Sequence, residues 1–268
     1  MDKASCVILG TAKNIAKHLP RHLQTLEEIR SLWASCAVVI GENGSTDGTQ
    51  ALLAAYAKKP LTHILTLDAE ANPIQSRTER LALVRNRLLD YVHATYPSYD
   101  YLLIADMDGI LDGFQAKGLK EAFKSSGWDA LFANTTGAYY DIWALRSEAI
   151  AYDCWDLVRH FMQQGFARDV AKAVIITPHQ VVLPKEPTLI PVQSAFGGLG
   201  LYRLAKTRGC RYDGLTRACS CTQVNQFPSP CAPERCEHVA FHQDMIEKHG
   251  AKLFIHTGIQ VKPALEHL

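Results

Sequence analysis

Short apolar runs alternate with amphipathic stretches along the first hundred residues, and few architectures accommodate that order. The apolar runs are Cys6 to Leu9, Ala37 to Ile40, Leu61 to Leu67 and Tyr101 to Ala105; between them lie Leu19 to Leu32, Thr49 to Ala57 and Arg80 to Val92. Uninterrupted apolar runs of strand length belong to strands covered on both faces, and the stretches between them carry helical periodicity. The rhythm is therefore β-α-β-α-β-α-β, and it predicts an α/β fold with a mostly parallel central sheet flanked by helices. Ligands of such sheets sit beyond the carboxyl ends of the strands. The residues to examine are thus those that follow each run: Gly10 to Asn14, Gly41 to Asp47, and Asp106 to Asp108.

Composition narrows the function classes. The chain has 268 residues, 47% hydrophobic and 21% charged, enough to build a sizeable core. A formal net charge of +1 removes any chain-wide attraction to nucleic acid or to an anionic membrane, so an anionic ligand has to be met locally. No apolar run reaches the roughly 18 residues of a membrane span, and the N-terminus enters a strand at once. The expected setting is cytoplasmic, without a nucleic-acid partner.

Three segments carry chemistry. Asp106 and Asp108 follow a buried strand at a spacing that puts both carboxylates on one side of an extended chain. Two such carboxylates suit Mg²⁺ or Mn²⁺ bridged to phosphate oxygens, although Asp-x-Asp-Gly also occurs in plain surface turns. Glu42 to Thr49 leads into a helix that Ser45, Thr46 or Asp47 can cap; Glu42 and Asp47 are also placed to contact a nucleotide base or ribose. On the third segment Leu81, Val84, Leu88 and Val92 form one stripe, with Arg77 and Arg85 inside it. An arginine there needs an anionic partner, either a protein carboxylate or a bound phosphate.

Thr11-Ala12-Lys13-Asn14, Glu42 to Thr49, Arg80-Leu81-Ala82 to Arg85-Asn86, and Asp106-Met107-Asp108 together resemble GT-A-fold glycosyltransferases, in that order. The resemblance continues more thinly through Tyr139 to Arg146, Phe196 to Tyr202 and Cys236 to Val239, which look like late motifs of bacterial polysaccharide glycosyltransferases and, more distantly, of fungal mannosyltransferases. It implies one GT-A catalytic domain over residues 1–268. Residues up to about 110 would hold the nucleotide sugar, and residues 111–268 the acceptor.

The implied activity is metal-dependent transfer of a hexosyl group from a nucleotide-diphosphate sugar, UDP-linked ahead of GDP-linked, to a hydroxyl of a glycan or glycolipid in surface polysaccharide synthesis. Through that acceptor the protein would reach the inner face of a membrane. Asp106 and Asp108 are the implied metal ligands, with Asp108 also catalytic. His256, after the apolar stretch Lys252 to Ile255, is a third candidate ligand, though a lone histidine is more often structural. Thr11, Lys13, Asn14, Glu42, Asp47, Arg77 and Arg85 are the implied donor contacts. Glu237 stands where inverting members place their base; the usual Glu-Asp is here Glu237-His238, so His238 would share the proton traffic. A retaining route stays open.

Asp141, Trp143, Gly197, Gly198 and His238 are the candidate sugar or acceptor contacts. Each has a plainer reading: glycines make tight turns, and tryptophan is commonly core. His238 and His242, one helical turn apart, form either a packed pair or metal ligands. Cys210, Cys219, Cys221, Cys231 and Cys236 crowd one segment without a repeated zinc spacing. The prolines from Phe227 to Pro233 mark a surface loop or a lid. Two other functions compete. One is a non-catalytic nucleotide-sugar or glycan-binding module on the same fold. The other is a sugar nucleotidyltransferase, but Gly10 to Asn14 lacks its glycine-rich basic signature.

Overall fold

The structure, a computed structural model, describes residues 1–215 and 234–262. The prolines of 227–233 and Cys219, Cys221 and Cys231 lie outside the described residues.

Strands β1 (Ser5–Ala12), β2 (Ser35–Glu42), β3 (Thr62–Thr66) and β4 (Tyr101–Asp106) pair in parallel in the order β3-β2-β1-β4. Helices α1 (Leu19–Arg30), α2 (Thr49–Tyr56), the short α3 (Asp68–Ala71) and α4 (Arg77–Thr95) make the crossovers, as the alternation predicts. Helix α4 begins earlier than its apolar stripe, because the Ser76 side chain caps it by accepting the backbone N–H of Glu79.

The second half departs from the expected parallel pattern. After α5 (Ala116–Phe123) come β5 (Ala130–Thr135), α6 (Cys154–Gln163), α7 (Arg168–Ile175), β6 (Leu189–Val192), β7 (Leu199–Arg203), α8 (Glu237–His249) and β8 (Leu253–Val261). Strand β7 lies antiparallel between β4 and β5, β8 lies parallel to β5, and β6 is antiparallel to β8. The eight strands form one mixed sheet, β3-β2-β1-β4-β7-β5-β8-β6.

Each central strand is buried on both faces, and its alternate residues feed two cores. Val7, Leu9, Leu102 and Ile104 join α4 and α8 through Leu88 and Phe241 on one face. Ile8, Val38, Ile40 and Leu103 join α1, α2 and α5 through Leu26, Leu53 and Leu119 on the other. This parity decides which strand-end residues can reach a common cleft.

Beyond the sheet, Asp153 organises the wall formed by the second half. Its Oδ1 caps α6 by accepting the backbone N–H of Trp155 at 2.9 Å, and its Oδ2 accepts from Arg146 at 3.1 Å and from the Trp143 indole at 3.1 Å. Both ion-pair partners are mostly buried, at 12% and 10% exposure. Asp153→Ala removes the cap and strands Arg146 together. We expect a loss of at least about 2 kcal/mol, read as a lower denaturant midpoint with an unchanged slope.

Candidate active site

Residues of the α4 face converge at the end of β4. Asp106 has the strand parity of Leu102 and Ile104, so its carboxylate turns toward α4. There it meets Arg85, whose Nη2 donates to Asp106 Oδ1 at 2.9 Å. The Nη1 of the same guanidinium donates to Oε1 of Glu237, in the first turn of α8. Arg85 is 3% exposed, and the rings of Phe196 and Tyr212 each lie 5.6 Å from its guanidinium carbon. The anionic partner that its place on the apolar stripe demands is thus supplied twice, by protein carboxylates. Its Nε has no partner among the described residues.

This trio lies in the wall of a cleft of about 530 Å³ beyond the carboxyl ends of β1, β2 and β4. Four carboxylates line it, from Asp106, Asp108, Asp141 and Glu237, while Lys13, Arg77 and Arg80 line it with Arg85. Burial pushes the Asp106 carboxyl above the usual carboxylate range; Arg85 pulls it back, and Asp108, Glu237 and Asp141 push it further up. Burial likewise raises Asp141, against the stabilising N–H groups of Gly197 and Ala144 at 3.0 and 3.3 Å.

The two carboxylates of Asp106 and Asp108, two residues apart at the end of β4, are the part of this lining that suits a divalent cation. Among the described residues no three metal-ligating side chains converge. Asp106 and Asp108 are the residues that would hold such an ion, and Mg²⁺ and Mn²⁺ are commonly bound through only one or two protein carboxylates.

No family model matches the chain, and no curated protein matches it either. Among solved structures it is similar to the mannosyltransferase PcManGT of Pyrobaculum calidifontis, in complex with GDP-Man and Mn²⁺, with a TM-score of 0.51, 13% identity and 98% of this chain covered. It is equally similar to residues 1–349 of TarS from S. aureus, in complex with UDP-GlcNAc, with a TM-score of 0.52, 13% identity and 97% covered. The chain has the GT-A glycosyltransferase fold. It spans 57% and 59% of those two chains, and at this identity the likeness is one of fold.

On the GT-A frame the expected site residues divide. Thr11, Lys13, Arg77, Arg85, Asp106, Asp108, Asp141, Trp143, Glu237 and His238 all line the cleft. Asn14, Glu42 and Asp47 do not. Glu42 has the parity of Val38 and Ile40, so it turns toward α2, where it accepts the Ser45 N–H at 2.6 Å and the Gln50 amide at 3.1 Å. Asp47 accepts from Thr49 and from the Ala16 N–H, and Asn14 accepts the Thr46 N–H. Asp47 and Asn14 knit the loops after β1 and β2 together, and Glu42 braces the second of them against α2; none of the three lines the cleft.

Gly197 and Gly198 also act from behind the cleft wall. They turn with φ of +64° and +87°, where a Cβ would fall 2.6 Å from the Ala133 carbonyl oxygen or 2.3 Å from Ile110. Gly197 N–H holds Asp141, and the Gly198 carbonyl accepts the N–H of Asp106 at 2.9 Å, so this turn ties two carboxylates in place.

His256 is not a cleft residue. Its parity on β8 sends it to the α5 face, near Ser125, and its Nδ1 accepts the Gly258 N–H at 3.1 Å. The pairing of His238 with His242 as ligands also fails, because both His242 nitrogens are within hydrogen-bond distance of hydroxyls, Ser194 at 2.9 Å and Tyr202 at 3.1 Å. Asn43 and Arg80, inside the Glu42 to Thr49 and Arg80 to Asn86 motifs, line the cleft as well. Asn43 is 6% exposed and its Oδ1 has no partner among the described residues.

Two outcomes follow from these buried charges. Arg85→Ala leaves Glu237 buried and unpaired, and should cost about 3–5 kcal/mol, whereas Arg85→Met with Glu237→Met should recover most of that loss in chemical denaturation. Burial, with Arg85 nearby, lowers His242 to about 3 from its ordinary 6.5, so the folded state excludes a proton that the unfolded chain binds. Its contribution is complete above pH 6.5 and is lost as pH falls toward 3. His242→Gln should flatten that part of the stability profile, measured by denaturant titration at each pH.

Proposed function

We propose that this chain is a glycosyltransferase that moves a sugar from a nucleotide-diphosphate sugar to an acceptor hydroxyl, with a divalent ion on Asp106 and Asp108. The observation that carries this reading is the division of charge within one cleft. Carboxylates from the end of β4, from α8 and from the Asp141 turn face Lys13, Arg77 and Arg80. A diphosphate needs both: cations for its oxygens and a site for the metal that accompanies it. The complexes with GDP-Man and UDP-GlcNAc seen in two neighbours of the same fold support the donor class.

When bound, the metal neutralises charge that builds on the leaving diphosphate. This chain's residues do the rest. Arg77 and Arg80, three residues apart in the first turn of α4, would hold phosphate oxygens, together with Lys13 from the β1 end. Arg85 fixes the rotamer of Asp106 before any ligand arrives, a preorganisation that catalysis rewards. Trp143 and Phe196 supply apolar surface for a sugar ring, and the unpaired Asn43 Oδ1 offers an acceptor to a base or ribose at the β2 end. A glycan or glycolipid acceptor, the role of surface polysaccharide synthesis, and a preference for UDP over GDP are further parts of the proposal.

Calorimetric titration of UDP, GDP and CDP, with Mn²⁺ and with chelator, tests it. We expect one nucleotide to bind with metal and to weaken on the order of 100-fold, about 2.7 kcal/mol, on chelation. The Asp106→Asn/Asp108→Asn double variant should match the chelated wild type. If none of the three binds under either condition, the proposal fails and a glycan-binding module takes its place.

A further inference from the structure

His238 is the second residue of α8 and follows Glu237 into the cleft. It is 3% exposed, and neither ring nitrogen has a partner among the described residues. Its ring stacks on Phe196, with centroids 3.9 Å apart and planes 23° apart, and meets Tyr212 edge-on at 5.4 Å. A buried imidazole usually satisfies at least one nitrogen, because leaving both unmade costs free energy with no return from packing. His242, one turn along on the same helix, shows the satisfied alternative, with a hydroxyl at each nitrogen.

The other groups able to take a proton in this cleft are already committed. Glu237 shares a buried ion pair with Arg85, and protonating it would remove one of the two carboxylates that balance that guanidinium. Both Asp141 oxygens accept backbone N–H groups. Asp106 holds the other half of Arg85, and with Asp108 forms the proposed metal site.

We infer that His238, rather than Glu237, takes the proton from the attacking hydroxyl, while Glu237 serves to position Arg85. This assignment rests on the glycosyltransferase reading. A neutral imidazole carries one N–H and one lone pair, so with no partner among the described residues it presents an acceptor to the incoming O–H. As the acceptor oxygen bonds to the anomeric carbon, its proton passes to that nitrogen. The bond from the anomeric carbon to the diphosphate oxygen breaks, and the diphosphate leaves with the electron pair. Charge is conserved without an oxidant or reductant.

The groups around the ring are Arg85 on α4, Tyr212, and Glu237 and His242 on α8. Burial, Arg85 and His242 hold the free-state imidazole neutral, well below its ordinary pKa. A bound diphosphate opposes the Arg85 field and so favours the imidazolium in the complex that reacts.

Water can stand in for the acceptor, so the probes are hydrolysis of GDP-mannose and of UDP-GlcNAc with Mn²⁺. These are followed for the wild type, His238→Phe and His238→Ala, beside calorimetry with the corresponding nucleotides. Phenylalanine keeps the aromatic stack and removes the lone pair. We expect His238→Phe to lower kcat on the order of 100-fold or more, with donor KM and nucleotide affinity within about twofold. Added imidazole should restore part of the turnover of His238→Ala. If His238→Phe hydrolyses either donor at the wild-type rate, the ring is a packing residue and the inference is overturned. Nucleotide binding by a wild type that turns over neither donor would overturn it as well, while sparing the cleft as a binding site. If the wild type neither binds nucleotide nor hydrolyses donor, the glycosyltransferase reading falls and takes this inference with it.

Discussion

A single guanidinium holds the two halves of this molecule in one arrangement. Arg85 rises from α4 between Asp106 at the tip of β4 and Glu237 at the start of α8; the arginine and Glu237 are nearly closed to solvent, while the Asp106 side chain stays 31% exposed on the cleft side. Desolvating three charges is costly, and a buried ion pair is no reliable source of net stability. What it provides is registry: α4, β4 and α8 are tied at one point, and the rotamers of two cleft carboxylates are set before any ligand enters. Phe196 and Tyr212 complete the enclosure around the guanidinium. Moving any of these pieces would disturb the acidic wall of the cleft.

The parity of each strand then decides what the cleft contains. On β4, Asp106 lies on the α4 side because Leu102 and Ile104 do; on β2, Glu42 lies on the α2 side because Val38 and Ile40 do. Two acidic residues at equivalent strand ends thus have opposite fates, one in the cleft and one in a loop bracing α2. Asp47 and Asn14 complete that bracing.

Much of this was legible in the sequence. The parallel half could be read directly, because strands buried on both faces show as unbroken apolar runs. That Asp106 and Asp108 line the cleft was legible because they follow such a run, beyond the carboxyl end of a strand. The place of Arg85 on an apolar stripe correctly demanded an anion, but not which one: Glu237 is 152 residues away, and no local pattern encodes that pairing. Glu42, Asp47 and Asn14 were read as donor contacts because residues that cap helices and residues that bind ribose are chemically the same kind. The turn expected at Gly197 and Gly198 is present, held by close approach to Ala133 and Ile110, but the strand that follows it, β7, has no local signal that would set it antiparallel between β4 and β5. The place of His256 on the α5 face depends on the register of β8, which no local pattern gives.

The insertion of β7 between β4 and β5 also shapes how the chain must be made. During synthesis β1 to β4 emerge first, and they can pair among themselves at once. Yet the outer side of β4 stays an open, apolar edge until Leu199 to Arg203 have left the ribosome, since Leu103 pairs with Leu201 and Leu102 with Tyr202. Every residue of α5, β5, α6, α7 and β6 is translated in that interval. An uncovered strand edge invites pairing with other chains, and long-range closure of this type is slow. The strand that closes the middle of the sheet is therefore also the one whose late arrival leaves the nascent half-protein with an exposed edge.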